Sequence, residues 1–138
     1  MAEAAGDAYK DFNRAVKGFL RDLMARFPGV PEFKLAFVSY KLLKTLGRKR
    51  PVGIFDRLIV GDEGAARVMA KDEAYFARPD IDADDVLAGL RAAAAREWSG
   101  LEPESKDAVW RHLQVMTVLA RKAKLLEKAS AKCASGQS

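Results

Sequence analysis

Apolar residues in this chain recur at steps of three and four, and nowhere do they alternate in the step of two that a half-buried strand shows. Phe12, Val16, Phe19, Leu20, Leu23 and Phe27 lie at helical spacing, with Arg14, Lys17, Arg21 and Asp22 between them, which predicts an amphipathic helix from Asp11 to Phe27. Pro28-Gly29-Val30-Pro31 ends it, because proline disfavours helix at the residue before it and glycine suits a helix end. Pro31 suits the start of a second helix reaching Leu46, with Phe33, Phe37, Tyr40, Leu43 and Leu46 as its apolar set and Gly47 closing it.

Two shorter helices follow from Pro51. Ile54, Phe55, Leu58 and Ile59 mark the first, and Gly61-Asp62-Glu63-Gly64 interrupts it, with Asp62 as the expected cap. Ala65, Val68, Met69, Tyr75 and Phe76 carry the next as far as Pro79. Val86 to Trp98 is alanine-rich and predicts a helix that Ser99-Gly100 breaks. The last helix starts at Glu102-Pro103-Glu104-Ser105 and extends to about Lys132. Val109, Trp110, Leu113, Met116, Val118, Leu119, Ala123 and Leu126 surround most of it, the pattern of a helix central to its fold. The expectation is an all-α protein: one compact domain of five to six helices over residues 11–132, with a long C-terminal helix. A flexible start is expected over residues 1–10 and a disordered tail over 133–138.

At 138 residues and 49% hydrophobic, the chain is long enough to bury a core without disulfide or metal staples. A single His112 and a single Cys133 cannot supply the four His or Cys ligands of a structural zinc site, and a lone cysteine cannot close an internal disulfide. Asp80, Asp82, Asp84 and Asp85 begin like a calcium loop. The sixth position is then Asp85 where glycine is needed, and the twelfth is Arg91 where a glutamate is needed. An acidic turn at a helix start accounts for them. Gly61-Asp62-Glu63-Gly64 lacks the spacing and the Lys-Ser/Thr of a phosphate loop. His112 has no nucleophile motif beside it, so the chain reads as non-enzymatic and without a cofactor. No secretory signal, myristoylation glycine or membrane-length apolar run appears, so no membrane is expected among its partners.

Charge is uneven. Residues 1–60 carry 12 Lys/Arg and 6 Asp/Glu, residues 61–110 carry 6 and 12, and residues 111–138 carry 6 and 1. Lys44, Arg48, Lys49 and Arg50 form the densest basic group, at a helix end and loop. Arg121, Lys124, Lys128 and Lys132 repeat along the last helix as a basic stripe. These eight are the candidate contacts to nucleic acid or an acidic partner, through phosphate neutralisation or charge complementarity. Two readings stay open: the basic groups share one face, or basic and acidic segments lie against each other and cancel. Phe12, Phe19, Phe33, Phe37 and Trp110 sit at core periodicity and are not base-stacking platforms.

Three stretches, taken together and in order, carry a resemblance: Phe27-Pro28-Gly29-Val30-Pro31-Glu32-Phe33-Lys34, Met69-Ala70-Lys71-Asp72-Glu73-Ala74-Tyr75-Phe76, and Val109-Trp110-Arg111-His112-Leu113-Gln114-Val115-Met116 followed by Leu119. From about Phe12 to Lys122 the chain resembles a family of small helical proteins encoded by nucleocytoplasmic large DNA viruses, including those of algae and amoebae. The resemblance implies a viral protein made in an infected cell, in host cytoplasm, nucleus or virion, and it brings no catalytic residues. Lys71, Asp72, Glu73, Arg111 and His112 read as a structural polar cluster, in which Asp72 or Glu73 bonds Arg111 or His112 and ties mid-chain to the last helix. The expected function is a viral accessory or virion-associated module that binds a viral or host protein. A small basic nucleic-acid-binding protein is the alternative.

Overall fold

The computed structural model describes residues 2–59, 61–76 and 85–135. They form an all-α domain with six helices of nine residues or more and one single turn: α1 Ala2–Arg26, α2 Pro31–Leu46, α3 Arg50–Ile59, α4 Gly61–Met69, the turn α5 Glu73–Phe76, α6 Asp85–Trp98 and α7 Pro103–Ser135. No described residue lies in a strand.

The first helix corrects the expectation of a flexible start. It begins at Ala2, nine residues earlier than Asp11, and Ala5, Ala8 and Tyr9 extend the buried face of Phe12 at steps of three and four. Alanine is small enough to pack closely and is the best helix former, so a segment with Tyr9 as its one large buried side chain still folds here. The expected tail is also shortened, since α7 remains helical through Ser135. Residues 136–138 and the acidic turn of residues 80–84 lie outside the described residues.

The last helix lies at the centre of the packing, as expected, and α1 shares that place. Its contact with α7 is the most extensive in the fold, and α2 lies along it as well; α6 packs on α2, α4 packs on α7, and α3 touches α1, α2, α4 and α7. Along α1, Phe12, Val16, Phe19, Leu20 and Leu23 are buried. Each such side chain contributes on the order of 1.5–3 kcal/mol by leaving water. Phe33 of α2 and Val68 of α4 are also fully buried, and Phe12 meets Phe55 edge-to-face at 5.4 Å.

Breaks in the chain follow local chemistry. Pro31 sits at the start of α2 behind an extended Val30, where its missing N–H has no helical partner to lose. The expected continuous helix from Ala65 to Phe76 is divided, because Lys71 adopts a left-handed conformation at φ 57°. Lys71 N–H then donates to the Val68 carbonyl (3.1 Å) and Asp72 N–H to the Arg67 carbonyl (3.0 Å), which closes α4 with a Schellman motif. Asp62 falls inside the first turn of α4 and not at its cap. The apolar sets are corrected as well: Leu46 and Val118, expected in the core, are 70% and 51% exposed.

Among the described residues, Asn13 and Thr117 are buried polar side chains among apolar ones, and both are satisfied. Asn13 Nδ2 donates to the Tyr9 carbonyl (2.8 Å) and to the Arg48 carbonyl (3.0 Å), while the Tyr40 hydroxyl donates to the Asn13 carbonyl (2.8 Å) and reaches its Oδ1 (3.2 Å). Tyr40→Phe is expected to lower the unfolding free energy by about 1–1.5 kcal/mol, measured by urea denaturation. Asn13→Ala removes the bond to the Arg48 carbonyl and opens a small void, and is expected to cost more, about 2–3 kcal/mol. Equal or smaller loss in Asn13→Ala would remove this residue from its linking role.

Candidate functional site

Two surfaces concentrate unusual chemistry: a basic cluster around Tyr9 and an apolar groove between α4 and α7.

The basic cluster answers whether the two cationic segments share a face. Lys49 Nζ lies 5.6 Å from the Tyr9 ring centroid and pairs with Glu127 of α7 at 2.5 Å. Arg48 lies across Gly6 of α1, with a guanidinium nitrogen 3.3 Å from where a Cβ would stand. Lys124 pairs with Asp56 of α3 at 2.6 Å. Arg48, Lys49, Lys124 and Glu127 all act on the Tyr9 phenol. The loop after α2 and the second half of α7 therefore meet over the start of α1. Lys44, Arg50, Lys128 and Lys132 are exposed. Arg121, Lys124, Lys128 and Lys132 share one face of α7 over about 16 Å of helix. The cancelling arrangement is present too, since Lys49 and Lys124 each carry a carboxylate.

The expected polar cluster has different partners. Asp72 pairs with Arg67 at 3.0 Å across the end of α4, Glu73 accepts the Trp98 indole N–H, and Lys71 pairs with Asp107 at 3.2 Å. His112 Nε2 lies 3.2 Å from Oδ2 of Asp22 on α1, and that same oxygen accepts from Arg26 Nε at 2.9 Å. Arg111 is exposed. Mid-chain meets the last helix through Lys71–Asp107 and through Gln114 Nε2, which donates to the Met69 carbonyl at 3.2 Å, and not through the expected pairs. His112 instead ties α7 to α1. The Schellman turn is the cause, because it bends Asp72 back toward Arg67. No group of three or more His, Cys, Asp or Glu side chains converges among the described residues. No described helix is long and apolar enough to cross a membrane.

The groove follows the seam between α4 and α7, which run antiparallel. Asp56, ahead of α4, meets Lys124; Met69 at its end meets Gln114; Lys71 beyond it meets Asp107. Ala65 and Ala66 are short, so the longer side chains of α7 cannot fill the seam, and a trough of about 700 Å³ is left open to solvent. Met69, Val118, Leu125 and Leu126 line it, with Arg121 and Lys122 also bordering it. Met69, Val118 and Leu125 are 45%, 51% and 67% exposed. Val115, also exposed, continues the same face of α7 one turn earlier. A second apolar line, Leu35, Val38, Leu42 and Leu46, runs along the outer face of α2. Exposed Lys34 and Lys41 flank it.

Sequence periodicity placed Ala65, Met69, Val118 and Leu126 in the apolar sets of their helices but left out Val115 and Leu125 and did not mark a groove, although a signal was present. Apolar positions surround α7 more widely than one buried face of a helix needs, and α2 carries two apolar lines on sixteen residues. No family model, curated protein or solved structure matches the chain.

The environment of Tyr9 has a measurable consequence. Burial raises its pKa above the ordinary value of 10.0 and the Glu127 carboxylate raises it further, while Lys49, Lys124 and Arg48 pull it down. Burial alone raises that of Tyr40. Both phenols keep their proton in the folded chain at a pH where an unfolded one loses it. Stability from this source is therefore full below about pH 10 and falls as pH rises through the folded values. Glu127→Gln removes one raising charge and leaves the cations, so the Tyr9 pKa is expected to fall, read from the ring carbon shift in a pH titration by NMR. An unchanged value would separate Glu127 from the phenol.

Proposed function

We propose that the chain is a non-enzymatic, helical protein-binding module that seats a helix of its partner in the trough between α4 and α7. The observation that carries this reading is the trough itself: about 700 Å³, walled by two antiparallel helices, with exposed Met69, Val118 and Leu125 along it. Small-molecule sites enclose most of their ligand, whereas an open apolar seam suits the face of an amphipathic helix. Exposed apolar residues scattered singly are ordinary on protein surfaces; aligned along a groove they mark an interface. The resemblance to proteins of large DNA viruses supplies the setting. The partner is then a viral or host protein met in the infected cell, in cytoplasm, nucleus or virion.

A second copy of the chain is a poor occupant. Residues 111–138 carry 6 Lys/Arg against 1 Asp/Glu, so pairing this face with itself opposes like charges. The outer line of α2 is flanked by Lys34 and Lys41 and complements the groove no better. The nucleic-acid alternative draws support from the convergence of Arg48, Lys49 and Lys124, but two of those three already hold a carboxylate.

Selection of displayed helical peptides on the immobilised chain tests the docking reading. Enriched peptides are expected to bind at least about tenfold more weakly to Val118→Asp/Leu125→Asp, a change of about 1.4 kcal/mol. Both side chains are exposed, so the fold is expected to survive. Selected peptides indifferent to this pair would overturn the reading. Fluorescence anisotropy with a short DNA duplex and a single strand tests the alternative. Tight binding with a steep salt slope, lost in Arg48→Glu/Lys49→Glu/Arg50→Glu, would replace docking by phosphate contact.

A further inference from the structure

We infer that the groove selects an acidic helix, one that places a carboxylate opposite Lys122 between two apolar anchors. This inference rests on the docking reading and adds the chemistry of the partner. Val118 and Leu125 are seven residues apart, about 10 Å along α7, and Lys122 stands between them on the same face, four residues after one and three before the other. Lys122 is exposed and makes no ion pair among the described residues, in contrast to Lys49, Lys71 and Lys124, whose carboxylates are found on other helices or in their own neighbourhood. An occupant that presented only apolar side chains would cover this ammonium without replacing its water, which is costly. An occupant with a cation there would face direct repulsion. A carboxylate at that point restores a charge-assisted bond.

The surrounding field favours the same sign. Glu127 is the single acid after residue 110, and it is held by Lys49 on another side of α7. Glu63, near the start of α4, belongs to a pair with Arg67 at 4.0 Å. The trough thus offers an apolar line flanked by two cations, Lys122 and Arg121. A partner helix reads as apolar anchors seven residues apart with Asp or Glu at the third or fourth position between them.

Two helical peptides of about 14 residues test this, identical in their leucine anchors seven residues apart and carrying either Glu-Glu or Lys-Lys at the third and fourth positions after the first anchor. The two central positions cover both directions in which the helix could lie. The expected result is about fivefold tighter binding of the Glu peptide, narrowing as salt is raised, and a reversed preference in Lys122→Glu. Equal binding of both peptides, with binding still lost in Val118→Asp/Leu125→Asp, would overturn the acid preference and leave the docking reading standing. Binding of neither peptide, or binding that ignores Val118→Asp/Leu125→Asp, would overturn both. Vesicles of anionic phospholipid form the last arm. Capture by vesicles that depends on Val118 and Leu125, without peptide binding, would assign the groove to a membrane surface and overturn the inference.

Discussion

The Asn13 amide is the constraint on which the rest of the arrangement depends. It sits on α1 among Phe12, Val16 and Tyr40, where an unpaired polar group would cost on the order of 1–3 kcal/mol. Its Nδ2 donates to the Tyr9 and Arg48 carbonyls and its Oδ1 lies 3.2 Å from the Tyr40 hydroxyl, which donates at 2.8 Å to the Asn13 main-chain carbonyl, so this one residue links α1, α2 and the following loop. Apolar packing alone would let α2 slide along α1 with little change in buried area. Directional bonds to Tyr40 and Arg48 remove that freedom and fix where α2 ends against α1. They also fix the loop that carries Lys49 beside Glu127.

From that fixed point the outer helices are placed by longer polar links. Lys49–Glu127 and Lys124–Asp56 hold α7 against the loop and α3, His112–Asp22 holds its first half against α1, and Lys71–Asp107 with Gln114 aligns the end of α4. Each exposed pair contributes little by itself, at most about 1 kcal/mol. Their shared effect is register. Because they set how far α4 slides along α7, they decide that Ala65 and Ala66 lie opposite Val118 and Leu125, and so that a trough opens there.

The helices themselves were legible in the sequence because their signals are local. Pro31, Gly47, Ser99 and Gly100 mark ends that the structure keeps, and the fold class follows from the spacing of Phe12 through Phe27. What was not legible depends on tertiary choice. The start of α1 was hidden because alanine signals helix weakly without long apolar neighbours, yet Ala5 and Ala8 bury well against a close-packed neighbour. The break at Lys71 was hidden because glycine is the usual sign of a left-handed helix end, and here lysine takes that conformation. For the site, the cationic residues were legible singly. Their partners were not, since Lys49 finds Glu127 across 78 residues of sequence.

Leu46 and Val118 show why periodicity misled and what it still contained. A helix with apolar residues on several sides can be central, or it can be half in the core and half turned to a partner, and sequence spacing is the same in both cases. Contact decides: α7 packs on α1, α3 and α4 and still leaves a second apolar face uncovered, as α2 does. Exposed leucine and valine at these places add nothing to the core, and their removal would leave Asn13, Phe12 and Val68 in place. The folding requirement and the surface requirement are thereby separated in space. The cations that flank both apolar faces fit the same division, since like charges discourage two copies from pairing through surfaces that would otherwise self-associate. A chain built this way can keep its fold while the line from Val115 to Leu125 is altered, and that independence makes the groove a site whose chemistry can be changed one residue at a time.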